Sequence, residues 1–178
     1  MNFLQTKINE MKKRKEEGNK GFSLVELIIV IAIMAILVGI VGTQVIPYIN
    51  KSKESKDLQI INSFSTAAVS SYSENADKIS ATTGTITIKV YGSNSGDADI
   101  LAKAIKEKTY ADKTDVFGQA AAGSTAAKES KMKSKNGKSI AEVKITIDLG
   151  SKKVTTQAYS DSACTDGKEV FEAVEATL

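Results

Sequence analysis

With 178 residues, the chain has room for one modest domain and an appendage, and too little for two complete domains. Its formal charge of +3 comes from the N-terminus. Residues 1–21 hold six basic groups (Lys7, Lys12, Lys13, Arg14, Lys15, Lys20) and three acidic ones (Glu10, Glu16, Glu17), and taking these from totals of 24 and 21 leaves 18 of each sign. The body beyond Gly21 is formally neutral, which argues against nucleic acid as a partner. Without a histidine there is no Ser-His or Cys-His nucleophile pair and no histidine-based metal centre, so neither enzyme activity nor a cofactor is expected. Cys164 is the only cysteine; the fold must stand without an internal disulfide, and Cys164 is expected to be a small buried hydrophobe rather than a reactive thiol.

The polar, basic stretch 1–21 gives way at Phe22 to FSLVELIIVIAIMAILVGIVGTQVI, with Glu26 its one charge. As a helix, the uncharged run Leu27–Ile46 would span about 30 Å, the thickness of a bilayer's hydrocarbon core. The basic residues precede it, so a single-pass orientation with a cytoplasmic N-terminus is expected. The competing reading is a cleavable secretory signal, but the run is longer than the usual apolar region, and GTQVIPYINKS offers no small-x-small site. Beyond Pro47 the pattern becomes amphipathic: Leu58, Ile61, Phe64, Ala68 and Tyr72 recur at three- and four-residue spacing, with Lys53, Glu54, Lys56 and Asp57 on other faces. The expectation is one helix from about Phe22 to about Glu74, kinked at Pro47 because proline lacks a donor and its ring crowds the preceding turn.

The remainder alternates as strands do. Thr85–Tyr91 sets Ile86, Ile88 and Val90 on one face, and Asp97 or Asp99 is placed to cap a short helix ending near Lys108. Ile140–Leu149 aligns Val143, Ile145, Ile147 and Leu149, and Gly150-Ser151 turns the chain into Lys153–Tyr159; a weaker segment, Val170–Val174, is a fourth candidate. Phe117–Lys138, rich in Ala, Gly, Ser and Lys, reads as a loop. The fold class is therefore α+β: a long N-terminal helix, hydrophobic then amphipathic, packed on a small antiparallel sheet of three to four strands. The expected division is a leader 1–21, an apolar helix 22–50, and a head domain 51–178 that includes the amphipathic half of the helix.

The junction Lys20-Gly21-Phe22-Ser23-Leu24-Val25-Glu26 carries the functional information. A carboxylate this far into an apolar run costs about 2.5–3.5 kcal/mol at a bilayer centre and less near an interface. Ser23-x-x-Glu26 matches a capping box, which explains the spacing of these two residues. It leaves unexplained the glycine and phenylalanine directly before them and the basic residues confined to the leader side.

This constellation resembles the class III signal of type IV pilins: a basic leader ending in glycine, then Phe, four further residues ending in Glu, and an apolar helix. GFSLVELIIVIAIMAILVGIV matches that pattern position by position, over roughly residues 20–46. The resemblance implies that a membrane-embedded prepilin peptidase cuts between Gly21 and Phe22 and methylates the Phe22 amine, the site admitting only a residue without a side chain at position 21. It further implies that Glu26 meets the Phe22 amine of a neighbouring subunit during assembly, offsetting the desolvation of both charges. Other partners implied are the inner-membrane pilus assembly platform, the cell membrane before assembly, and further pilin subunits in a homopolymer. The subunit would end in an extracellular pilus that supports adhesion, aggregation, biofilm formation or motility. With lysine supplying nearly every positive charge and no disulfide-bounded C-terminal loop, the chain resembles the pilins of Gram-positive bacteria.

Ala32, Ala35, Gly39 and Gly42 fall at steps of three, four and three, a small-residue face that lets helices approach closely, although such residues are common in any membrane helix. Contacts of this head-to-tail kind do not close and so build a helical fibre. Gly39, Gly42 and Pro47 weaken the helix, and resembling filaments lose helical structure near this depth, so Gly39–Pro47 is the expected place here. Lys128, Lys131, Lys133, Lys135 and Lys138 crowd one loop with only Glu129 opposing them; a solvated loop or an anionic contact both fit. Asp97, Asp99, Asp112 and Asp115 admit a calcium site, as in related pseudopilins, or ordinary capping and solvation; no metal is expected. A pseudopilin of a type II secretion or DNA-uptake apparatus is the alternative function, followed by a single-span anchored adhesin or receptor.

Overall fold

The computed structural model describes residues 3–18, 23–109, 116–118 and 130–178. The chain divides into two units, Met1–Pro47 and Tyr48–Leu178. In the first, the basic N-terminal stretch forms α1 (Phe3–Gly18) and the apolar run forms α2 (Leu24–Ile40). Every residue of α2 is exposed, as befits a helix that is apolar all round and has no core to cover it. A five-residue π-turn, Val41–Val45, follows before α3 (Ile46–Glu74) begins. This widened turn lies just ahead of Pro47, the residue at which a kink is expected. Pro47 has no N–H for the carbonyl of Thr43 and its ring crowds that carbonyl; lengthening the hydrogen-bonded loop by one residue relieves both. The Thr43 hydroxyl donates to the carbonyls of Gly39 and Ile40, each at 3.2 Å.

In the second unit, α3 packs on a four-stranded antiparallel sheet in the order β1-β2-β3-β4, built from β1 (Thr85–Lys89), β2 (Glu142–Asp148), β3 (Lys153–Tyr159) and β4 (Val174–Thr177). A second helix, α4 (Asp97–Thr109), lies between β1 and β2 in sequence. Ile61, Phe64 and Ala68 of α3 join Ile86, Ile88, Val143, Ile145, Ile147, Val154, Leu101 and Ile105 in one core. Each such large apolar side chain contributes about 1.5–3 kcal/mol on burial. Between the large residues of α3 sit Ser65, Ala67 and Ser71, all buried; their small volume brings the helix close to its neighbours. Tyr91 bridges Phe64 and Phe117 edge-on, with ring centroids 6.3 and 5.4 Å away.

Three expectations are corrected. The buried stripe of α3 runs through Asp57, Ile61, Phe64, Ala68 and Ser71, while Leu58 and Tyr72 are only half-buried; Asp57 belongs to the inner face, for the reason given below. Asp97 lies within the first turn of α4 and does not cap it. Its carboxylate instead accepts the N–H groups of Ser80 (3.0 Å) and Ala81 (2.7 Å), tying down the segment that follows α3.

The last strand is Val174–Thr177 rather than Val170–Val174. Val170 donates to the Ala158 carbonyl at 3.0 Å, whereas Val174 already faces Thr156. The final segment therefore carries two more residues than β3 across this interval and bulges, and the Gln157 amide donates to the Phe171 carbonyl inside the bulge.

Candidate functional site: the helix start and the lysine-bearing segment

Ser23 stands just before α2 in an extended conformation (φ −60°, ψ 140°), and its carbonyl accepts the Leu27 N–H at 3.1 Å. The Glu26 carboxylate turns back and accepts the Ser23 N–H at 2.8 Å. This is the glutamate half of the capping box, and it satisfies one of the donors that a helix start leaves open. The charge also sits in the first turn, where the helix dipole favours an anion. Glu26 is thereby aimed at the backbone that leads to Phe22. Gly21 and Phe22 themselves, the expected scissile pair, lie outside the described residues.

Further along, Ala32, Ala35 and Gly39 lie on α2 and Gly42 lies in the π-turn. A methyl group built on Gly39 or Gly42 would meet nothing within 4 Å. The wide turn makes the step from Gly39 to Gly42 differ from an α-helical one, so Gly42 is offset from the face that the other three share.

In the second unit, the segment Lys131–Ile140 alternates outward and inward. Lys131, Lys133, Lys135 and Lys138 are exposed; Met132, Ser134, Gly137 and Ile140 are buried. Asp57 is the anchor. Its fully buried carboxylate accepts the N–H groups of Lys133 (2.7 Å) and Ser134 (2.8 Å) and the Ser134 hydroxyl. The Gly137 N–H in turn donates to Ser134 Oγ at 2.8 Å, and Glu54 accepts the Asn136 amide at 3.1 Å. An ionised acceptor with three donors is adequately compensated for burial, which is how a carboxylate comes to occupy the apolar face of α3. Lys128 and Glu129 lie outside the described residues.

Sequence reasoning missed Asp57, Ser134 and Gly137. The signal was present: Asp57 is four residues before Ile61, in phase with the stripe, and MKSKNG alternates as a segment with one face inward.

Asp99 pairs with Lys103 at 2.9 Å, and Asp97 is engaged as described; Asp112 and Asp115 lie outside the described residues. Among the described residues no cluster of three or more His, Cys, Asp or Glu side chains could hold a metal ion. Cys164 is buried, with φ +59°, and burial, assisted by the negative charge of Glu142, pushes its thiol pKa up. That places it on the unreactive side.

Residues 18–42 match the family model described as the prokaryotic N-terminal methylation motif. No curated protein and no solved structure gave a significant match to the chain.

Proposed function

We propose that this chain, which carries the class III signal of type IV pilins at the head of a long apolar helix, is the structural subunit of an extracellular type IV pilus. Cleavage between Gly21 and Phe22 by prepilin peptidase frees an amine that is methylated. The subunit, held in the membrane by α2, then joins a fibre by packing that helix against those of its neighbours. The catalytic groups for processing belong to the peptidase.

The observation that carries this reading is the match over residues 18–42, combined with a Glu26 carboxylate turned back toward the helix start. A neighbour's Phe22 ammonium placed there would neutralise a charge that is otherwise costly at membrane depth. The exposed Ala32, Ala35 and Gly39 support close helix packing in the fibre, and the π-turn ahead of Pro47 supports Gly39–Pro47 as the place where helical structure loosens on assembly. The wholly exposed apolar surface of α2 requires either lipid or other helices around it.

Mass spectrometry of the native N-terminus should find methylated Phe22; an intact Met1, or a cut beyond the apolar run, would defeat the reading. Glu26→Ala should insert and be processed yet be missing from sheared surface fibres. Normal fibres from that variant would remove the Glu26–Phe22 pairing. Fibres visible by electron microscopy separate a pilus from the short fibre of a secretion or DNA-uptake apparatus.

A further inference from the structure

Lysines concentrate at one place in the second unit. Lys51, Lys53 and Lys56 lie on the first turns of α3, and Lys131, Lys133, Lys135 and Lys138 lie on the segment that Asp57 and Glu54 anchor to those same turns. All seven are exposed. Residues 51–57 and 131–138 together contain these seven lysines and two acids, and the acids, Glu54 and Asp57, accept hydrogen bonds from neutral amide and hydroxyl donors, so lysine predominates in both stretches. In a body that is neutral overall, this is a polarised surface and not a bulk excess.

We propose that this patch is a collar that binds the phosphate headgroups of anionic phospholipid on the outer face of the membrane. The inference rests on the membrane orientation proposed above. Along α3, Lys51 follows Ile46 by five residues and Asp57 by eleven, about 7 and 16 Å at the helical rise. The headgroup layer on each side of a bilayer is about 5–8 Å deep, and charges act over a further ~8 Å at physiological salt. The lysines therefore begin at the phosphates and end within one screening length of them. Lysine ammonium groups are flexible point charges suited to mobile headgroups, and the patch contains no guanidinium for bidentate recognition of one fixed group.

DNA fits less well, because Lys131–Lys138 carries no aromatic side chain on which bases would stack. Processing gives the collar its role. The leader's six basic residues outnumber Lys51, Lys53 and Lys56 and set the orientation, but they leave with the leader. The collar is then the basic flank that remains, and it holds the mature subunit at the outer surface until it is taken into a fibre.

The test is native mass spectrometry of the full chain released from mixed micelles containing equal phosphatidylglycerol and phosphatidylcholine. Wild type should retain anionic over zwitterionic lipid by about fivefold. The variant Lys131→Gln/Lys133→Gln/Lys135→Gln/Lys138→Gln should fall to less than about half that preference. Leader lysines contribute equally to both chains, so the difference reports the collar. Equal retention of the two lipids by wild type, or an unchanged preference in the variant, overturns the collar while leaving α2 in the membrane. A chain that retains no lipid of either kind overturns the membrane reading and the collar together. Glycerol phosphate binding as firmly in lipid-free detergent, or an oligonucleotide stripping phosphatidylglycerol from wild type at lower concentration, would assign the patch to those ligands and overturn the lipid assignment.

Discussion

Gly137→Ala is the most informative single change in the head. Gly137 does not adopt a positive φ, so alanine is conformationally acceptable there and, through the unfolded chain alone, would stabilise by about 0.4–1 kcal/mol. Packing reverses that sign. The added Cβ would lie 2.2 Å from Asp57 Oδ2, 2.8 Å from its Cγ and 3.1 Å from Met132 Cβ. Carbon and oxygen do not approach so closely, and the carboxylate must retreat by about 1 Å or more. That movement breaks or stretches the bonds from Lys133 N–H and Ser134 N–H, at 2.7 and 2.8 Å, and from the Ser134 hydroxyl. Bonds to a charged acceptor are worth about 1.5–3 kcal/mol each, and at least two are affected, so a net loss of about 3 kcal/mol is expected.

For a unit the size of Tyr48–Leu178, that corresponds to a melting temperature lower by about 10 °C. The assay is thermal unfolding of the full chain in detergent, followed by circular dichroism in the strand region. The same alanine placed in an Asp57→Ala background should cost much less, because the group it strikes is gone; the two changes are coupled. A Gly137→Ala protein melting within about 2 °C of wild type, or costs that simply add, would refute the reasoning.

Other outcomes follow from the same structure. Glu74 is held below the usual carboxylate range by its hydrogen bond from Lys108, Asp148 by Ser151 and Gly150 in the β2–β3 turn, and Asp161 by the Thr165 hydroxyl. Depressed folded values mean stabilisation that is present above the unfolded pKa and lost as pH falls through the folded one, so melting should decline below about pH 4. Lys103, raised by Asp99, acts at the other end: its contribution holds below the ordinary lysine pKa and fades as pH rises through the folded value. With no histidine to titrate between, the melting temperature should be flat from about pH 5 to 8, and a steep change there would contradict this account. Cys164, buried and with its thiol pKa raised, should react with iodoacetamide at neutral pH at least about tenfold more slowly than after unfolding; equal rates would contradict its placement.

What could be read from the sequence was what local chemistry dictates. The alternation of Ile86, Ile88 and Val90, and of Val143, Ile145 and Ile147, fixed the buried face of each strand because side chains in a strand point to opposite sides in turn. The long helix and the β2–β3 hairpin followed from period and turn residues, although the hairpin places Lys152, and not a glycine, in the left-handed region (φ 53°). The capping geometry of Ser23 and Glu26 was legible because its partners lie three residues apart.

What depended on distant partners was not legible. Asp57 finds its donors 76 and 77 residues away, so its phase with Ile61 gives the face it lies on while the partners that compensate its charge leave no local mark. Asp97 reaches back seventeen and sixteen residues to Ser80 and Ala81 and gives up the local role that propensity assigns it. The last strand shifted because a bulge sealed by Gln157 leaves no trace in hydrophobic period.

The bond from the Ser23 amide to Glu26 has a consequence for the energetics of the proposed fibre. A carboxylate already occupied at home does not enter the polymer starved of donors. Where a neighbour's ammonium displaces that amide, the hydrogen bonding gained is only the difference between two charge-assisted bonds, and neutralisation of the charge is the larger part of the gain. A subunit waiting in the bilayer is accordingly no strained species, and one released from the fibre can close the same small ring on its own backbone. In hydrogen bonding alone, growth and shrinkage at this contact run over a shallow gradient, and neutralisation of the charge together with burial of the helices decides the direction.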